Sequence, residues 1–179
     1  MIQRVVDSPY SLDVVATSVK VNKTYVSMKT FQSIQLSATI SPTNVTSNSV
    51  KWTSSNAKTA TVSTNGLVTA KAPGTVTITA TTVSGSKKAT CKITVIQSVK
   101  SIKLNKTALT ILIGKTYKLI PIISPYNASN NKVVWKTSNT KIAIVRSNGI
   151  IKGINKGIAY IYVITLDGKK TSKCKVIVK

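Results

Sequence analysis

Histidine is missing from this chain, and acids nearly so: in 179 residues the only carboxylate side chains are Asp7, Asp13 and Asp167. A Ser–His–Asp relay, a carboxylate pair for acid and base work, and a zinc or calcium cage all need residue types that are absent or too few. No glycine-rich loop has a phosphate-cradling pattern. No catalytic residue, bound metal or cofactor is therefore expected. Asp167 precedes Gly168, and its carboxylate is expected to bond the backbone of its own turn. No apolar run reaches the roughly 18 residues of a membrane-spanning helix, so no membrane insertion is expected.

Arginine and aromatic residues are also scarce. Arg4 and Arg146 are the only arginines, and the aromatics are Trp 2, Tyr 6 and Phe 1. Bidentate reading of bases favours Arg, and single strands need stacking arrays, so specific nucleic-acid recognition is not expected. What is abundant is lysine. With 26 Lys and Arg against three acids, the net charge is +23. Such a field attracts anionic surfaces such as an anionic cell-wall polymer, nucleic acid or an acidic protein shell. The alternative is a solvated surface, with Lys on strand edges discouraging aggregation.

The chain repeats itself. Displaced by 83 residues, Ser18–Val95 falls on Ser101–Val178 without a gap. So long a period in two copies marks a duplicated domain rather than a solenoid. The repeated positions are turn and core residues: Ser41-Pro42 with Ser124-Pro125, Trp52 with Trp135, Asn65-Gly66 with Asn148-Gly149, Cys91 with Cys174. Between them, apolar residues alternate with period two, as in Val76, Ile78 and Ala80 against Thr75, Thr77 and Thr79. That is the pattern of strands with one buried face. Asn65-Gly66 predicts a two-residue hairpin, and Ser84-Gly85 and Asp167-Gly168 a second hairpin in each copy. About seven strands per copy are expected, near 19–21, 34–40, 50–53, 59–63, 67–71, 75–82 and 88–95, in a two-sheet sandwich. Cys91 and Cys174 lie one per copy on inward parity, so no bridge forms within a copy. They are expected to be small buried thiols, the alternative being a reactive or intermolecular one.

Each copy resembles a bacterial immunoglobulin-like domain of group 2. The likeness runs through Val19-Lys20-Val21-Asn22, Leu36–Pro42, Val50-Lys51-Trp52-Thr53-Ser54-Ser55-Asn56, Asn65-Gly66-Leu67-Val68-Thr69-Ala70, Gly74–Ala80 and Lys92–Val95. It implies an all-β chain of two tandem immunoglobulin-like sandwiches. Residues 1–17 form an N-terminal arm, 18–96 the first domain, 97–100 a short linker and 101–179 the second. The sandwiches are expected end to end with limited bending, because the linker lacks Gly and Pro. Trp52 and Trp135 stand where such sandwiches bury a Trp, so core packing is expected; a surface stacking platform is the alternative. One departure is Phe31, where the family has Gly and the second copy has Gly114, and it is expected to alter its turn.

Met1–Thr17 lacks the apolar core of a secretory signal. It reads either as a frayed leader or as a docking arm whose Val5-Val6 and Val14-Val15 add to a partner's sheet edge. An unsecreted start and an end flush with the last strand suggest a complete gene product assembled inside a host cell. The resemblance then implies a non-enzymatic phage virion component at the virion surface. It would dock on a capsid or tail protein, form homo-oligomers on the assembly, and bind host surface or carbohydrate weakly. The alternative is a stalk or receptor-binding fragment of a secreted bacterial cell-surface adhesin.

Overall fold

A computed structural model of the chain describes residues 13–179. Every regular element among them is a strand. The chain divides between Val95 and Ile96 into two compact units. In the first, the strands are β1 (Ser18–Val21), β2 (Tyr25–Lys29), β3 (Ser33–Gln35), β4 (Ala38–Ser41), β5 (Val50–Ser54), β6 (Ala60–Val62), β7 (Leu67–Ala70), β8 (Gly74–Thr82) and β9 (Lys88–Ile96). The second repeats them as β10 (Ser101–Leu104), β11 (Ala108–Ile111), β12 (Thr116–Lys118), β13 (Pro121–Ser124), β14 (Val133–Thr137), β15 (Ala143–Val145), β16 (Ile150–Gly153), β17 (Gly157–Thr165) and β18 (Thr171–Val178). Each unit has a four-stranded sheet, β2-β9-β8-β5 or β11-β18-β17-β14. The remaining strands form β3-β7-β6 with β1-β4, or β12-β16-β15 with β10-β13. β11 runs parallel to β18.

Both units are the expected all-β immunoglobulin-like sandwiches, but with nine strands each among the described residues rather than about seven. The run 34–40 is two strands that serve different partners, β3 with β7 and β4 with β1. The break falls after Leu36, which is fully buried. There Asn22 takes over part of the ladder: its backbone N–H bonds Ser37 O at 3.0 Å and its side-chain Oδ1 accepts from Ser37 N at 3.1 Å. Asn105 does the same for Ile120, at 3.0 and 2.8 Å. β2, absent from the expected set, alternates inward Val26 and Met28 with outward Tyr25, Ser27 and Lys29.

The Asn-Gly hairpins have three-residue loops rather than two. Gly66 N donates to Ser63 O at 3.0 Å, and Ser63 N to Leu67 O at 3.0 Å. That is a tight turn followed by a left-handed glycine, the bulged hairpin. Gly66 has φ +85°, and a Cβ there would lie 2.4 Å from Leu36 O and 3.1 Å from Trp52 Cε2. Only glycine satisfies both the dihedral and the space.

Phe31 does not alter its turn. It has φ +67° where Gly114 has +78°. Its N–H bonds Ala70 O at 2.9 Å, as that of Gly114 bonds Gly153 O at 2.9 Å. The surrounding ladder imposes the left-handed backbone on a bulky residue that resists it.

The cores differ in continuity. In unit 2 one buried cluster runs from Ile102 and Leu104 through Leu119, Ile151, Ile161 and Val163 to Cys174 and Val176. In unit 1 the main cluster holds Leu36, Val68, Ile78, Cys91 and Ile93, while Ala16, Val19 and Ile40 form a separate small one. Smaller side chains explain the division: Ala80 stands where unit 2 has Val163, Val19 where it has Ile102, and Val21 where it has Leu104.

Candidate functional site

The residues singled out from the sequence occupy several places, and the fold does not bring them together. Trp52 and Trp135 are partly buried and pack against the main core of their own units. The inner side of each ring meets the core, and each indole lies over the glycine of the bulged hairpin. The outer side of Trp52 borders a shallow hollow of about 280 Å³ with Gln35, Asn48, Thr64 and Asn65. Cys91 and Cys174 are free, and both are fully buried. Burial pushes the Cys91 thiol above its usual value, with the Lys23 ammonium pulling part of the way back, and burial alone raises Cys174. Both thiols are therefore held protonated and unreactive.

Val5 and Val6 lie outside the described residues. Val14 and Val15 do not form a free arm. Val14 N donates to Thr46 Oγ1 at 2.9 Å and Thr46 N returns a bond to Val14 O at 2.9 Å. Val14 thus has no backbone group left for a partner's sheet, although the Val15 side chain is exposed. Gln97 and Ser129 repeat the pair in unit 2, at 2.8 Å in both directions. The end of the expected arm and the expected linker are one element, present twice, that latches the entrance of each sandwich. Asp167 is part of the second latch. Its Oδ2 accepts from Val99 N at 2.8 Å, far along the chain rather than within its own turn as expected.

A difference on the outer face of the four-stranded sheets lies outside what was expected from the sequence. In unit 1 the outward positions of β8 are Thr75, Thr77, Thr79 and Thr81. In unit 2 the same positions of β17 are Ile158, Tyr160, Tyr162 and Ile164. Lys175 stands beside Tyr160, and Lys173 and Lys136 stand on either side of Tyr162. The Lys173 ammonium sits 5.3 Å from the centre of the Tyr160 ring. The signal was available in the period-two pattern, had the outward positions of the two copies been compared as closely as the inward ones.

The three-stranded sheets differ too. In unit 2, Thr116, Ile144, Arg146, Ile150 and Lys152 line a hollow of about 230 Å³. Unit 1 has Ser33, Thr61, Ser63, Leu67 and Thr69 at those positions, with no charge. Among the described residues no group of His, Cys, Asp and Glu could hold a metal ion.

The family model for the bacterial Ig-like domain (group 2) matches residues 15–93 and 98–176. An uncharacterized protein of Clostridium acetobutylicum is 33% identical over 92% of this chain and 17% of its own length. An Ig-like virion protein of Serratia phage KSP90 is 30% identical over 82% of this chain and 59% of its own length. The chain thus spans less than two thirds of either relative. Among solved structures, the N-terminal four Ig domains of Dscam1 isoform 6.9 share the fold at TM-score 0.57 and 14% identity, over 94% of this chain and 48% of that one. With two sandwiches in the fold and both of them matched, the chain belongs to the bacterial Ig-like domain (group 2) family.

Proposed function

We propose that this chain is a non-enzymatic structural and adhesive protein of a phage virion. It docks on a capsid or tail protein and displays its Ig-like domains for weak attachment to the host surface or its carbohydrate. The observation that carries the reading is the likeness to the phage KSP90 Ig-like virion protein over most of the chain. The composition agrees with it, since a chain with no His and three acids has little to catalyse with. A net charge of +23 draws it toward anionic surfaces, and many displayed copies would turn weak contacts into useful avidity. The test is co-purification. Virions banded on a density gradient are expected to carry the protein at constant stoichiometry, and purified particles without it overturn the proposal.

A second reading is a segment of a bacterial surface adhesin. One observation favours it: the Clostridium acetobutylicum relative carries this kind of repeat within a much longer chain. Recovery of the native protein from a bacterial envelope, as part of a larger polypeptide, would put this reading in place of the first.

A further inference from the structure

We propose that the outer face of β14, β17 and β18 is a platform for an anionic polysaccharide, with the tyrosine rings carrying the sugar and the lysines its acid groups. The inference rests on the adhesive reading above and names the surface and ligand class that would serve it.

Two faces with one backbone carry different side chains. Lys51, Lys88 and Lys92 project from the outer face in unit 1; Lys136, Lys173 and Lys175 do so in unit 2. Charge alone therefore does not distinguish the faces. What does is the stripe along the central strand, which is threonine in unit 1 and Ile158, Tyr160, Tyr162 and Ile164 in unit 2. Threonine meets the needs of a wet strand, being β-branched and hydroxylated. An apolar stripe on a solvent face is more than folding needs there, since threonine serves at the same positions of unit 1, and it marks a contact surface. At the edges of the stripe, Ile158 is 49% exposed and Val134 40% exposed.

The face selects its partner by chemistry. A second copy of this chain would bring more lysine to lysine, so self-association here is opposed. Tyrosine offers an apolar ring with a hydroxyl at its tip, which suits the C–H face and hydroxyl rim of a sugar. The flanking ammonium groups suit carboxylate, sulfate or phosphate substituents. Single-stranded nucleic acid also uses cations and rings. Here, however, the stripe ends in aliphatic side chains, and the face has no arginine.

The full chain is titrated with alginate (a polyuronate), neutral dextran, inorganic polyphosphate and oligo(dT). Alginate is expected to bind and dextran to bind far more weakly. Tyr160→Thr with Tyr162→Thr installs the residues unit 1 carries as Thr77 and Thr79 and leaves the net charge unchanged. It is expected to weaken alginate by about tenfold or more and to leave polyphosphate within about twofold. Lys173→Gln with Lys175→Gln is expected to weaken alginate as well, and Lys88→Gln with Lys92→Gln, the same charge change on unit 1, far less. Melting curves report that each variant folds. Unchanged alginate affinity in both unit 2 variants overturns the platform and leaves the adhesive reading standing. No alginate binding by the unaltered chain at low salt also overturns the platform, while the adhesive reading stands or falls by co-purification with virions. Dextran binding as tightly as alginate, or a tyrosine variant that loses oligo(dT) rather than alginate, overturns the ligand class.

Discussion

Unit 1 and unit 2 share strands, turns and an inward apolar pattern, yet they present different outer faces. Ile78 and Ile161 sit at equivalent places in the cores, and both are fully buried. One position outward, Thr77 and Thr79 give way to Tyr160 and Tyr162. The lesson is where each kind of pressure acts. Packing and backbone geometry leave little choice at an inward position, because a lost or added methylene is felt throughout the core. An outward strand position accepts almost any β-former, so what stands there reports on partners.

The tryptophans offer the largest effect and the strictest test of sameness. Trp52→Ala and Trp135→Ala are each expected to cost about 3 kcal/mol, the low end for large aromatics, because the outer edge of each ring stays in water. Chemical denaturation measures both, and a substantial inequality would mean the indoles do not do the same job. Next comes the latch. Asp167→Ala strands the Val99 N–H and is expected to cost about 1–3 kcal/mol in unit 2, while Ser84→Ala at the matching position of unit 1 is expected to cost under about 0.5 kcal/mol. Equal losses would break the contrast. Smaller, and opposite in sign, is the left-handed turn. Phe31→Gly is expected to stabilise unit 1 by about 1 kcal/mol through relieved strain, and Gly114→Ala to destabilise unit 2 by a similar amount.

The smallest effect is common to both units. The folded-state pKa of each cysteine is raised, so the neutral thiol is the form that folding favours. Its contribution is fully present below the unfolded value near 9.0 and is lost as pH rises from there toward the folded value. Between pH 8 and 10.5 the unaltered chain is therefore expected to lose slightly more stability than Cys91→Ala with Cys174→Ala. Parallel stability curves for the two would remove the thiols from the account.

Much of this was legible in the sequence because it is local. Period-two alternation placed the inward faces of β8 and β9, the Asn-Gly pairs placed turns, and the repeat showed the duplication. What escaped was set at long range. Splitting 34–40 depends on Asn22 reaching Ser37, and no short window contains both. Val14 and Gln97 read as tail and linker because their partners, Thr46 and Ser129, lie far along the chain. Asp167 looked like an ordinary turn acid because its partner Val99 is likewise remote. The bulged loop escaped for a subtler reason: Asn-Gly suits two hairpin geometries, and the bond from Ser63 N to Leu67 O decides between them. The tyrosine stripe needed no distant information, only attention to the wet side of a strand.

The paired latch at Val14–Thr46 and Gln97–Ser129 has a practical consequence. Each sandwich carries its own clasp at its own entrance, so the boundary between Val95 and Ile96 leaves each clasp within its own compact unit. A gene encoding this pair can be cut or extended there in whole multiples of one repeat, and every added piece arrives with the means to close itself.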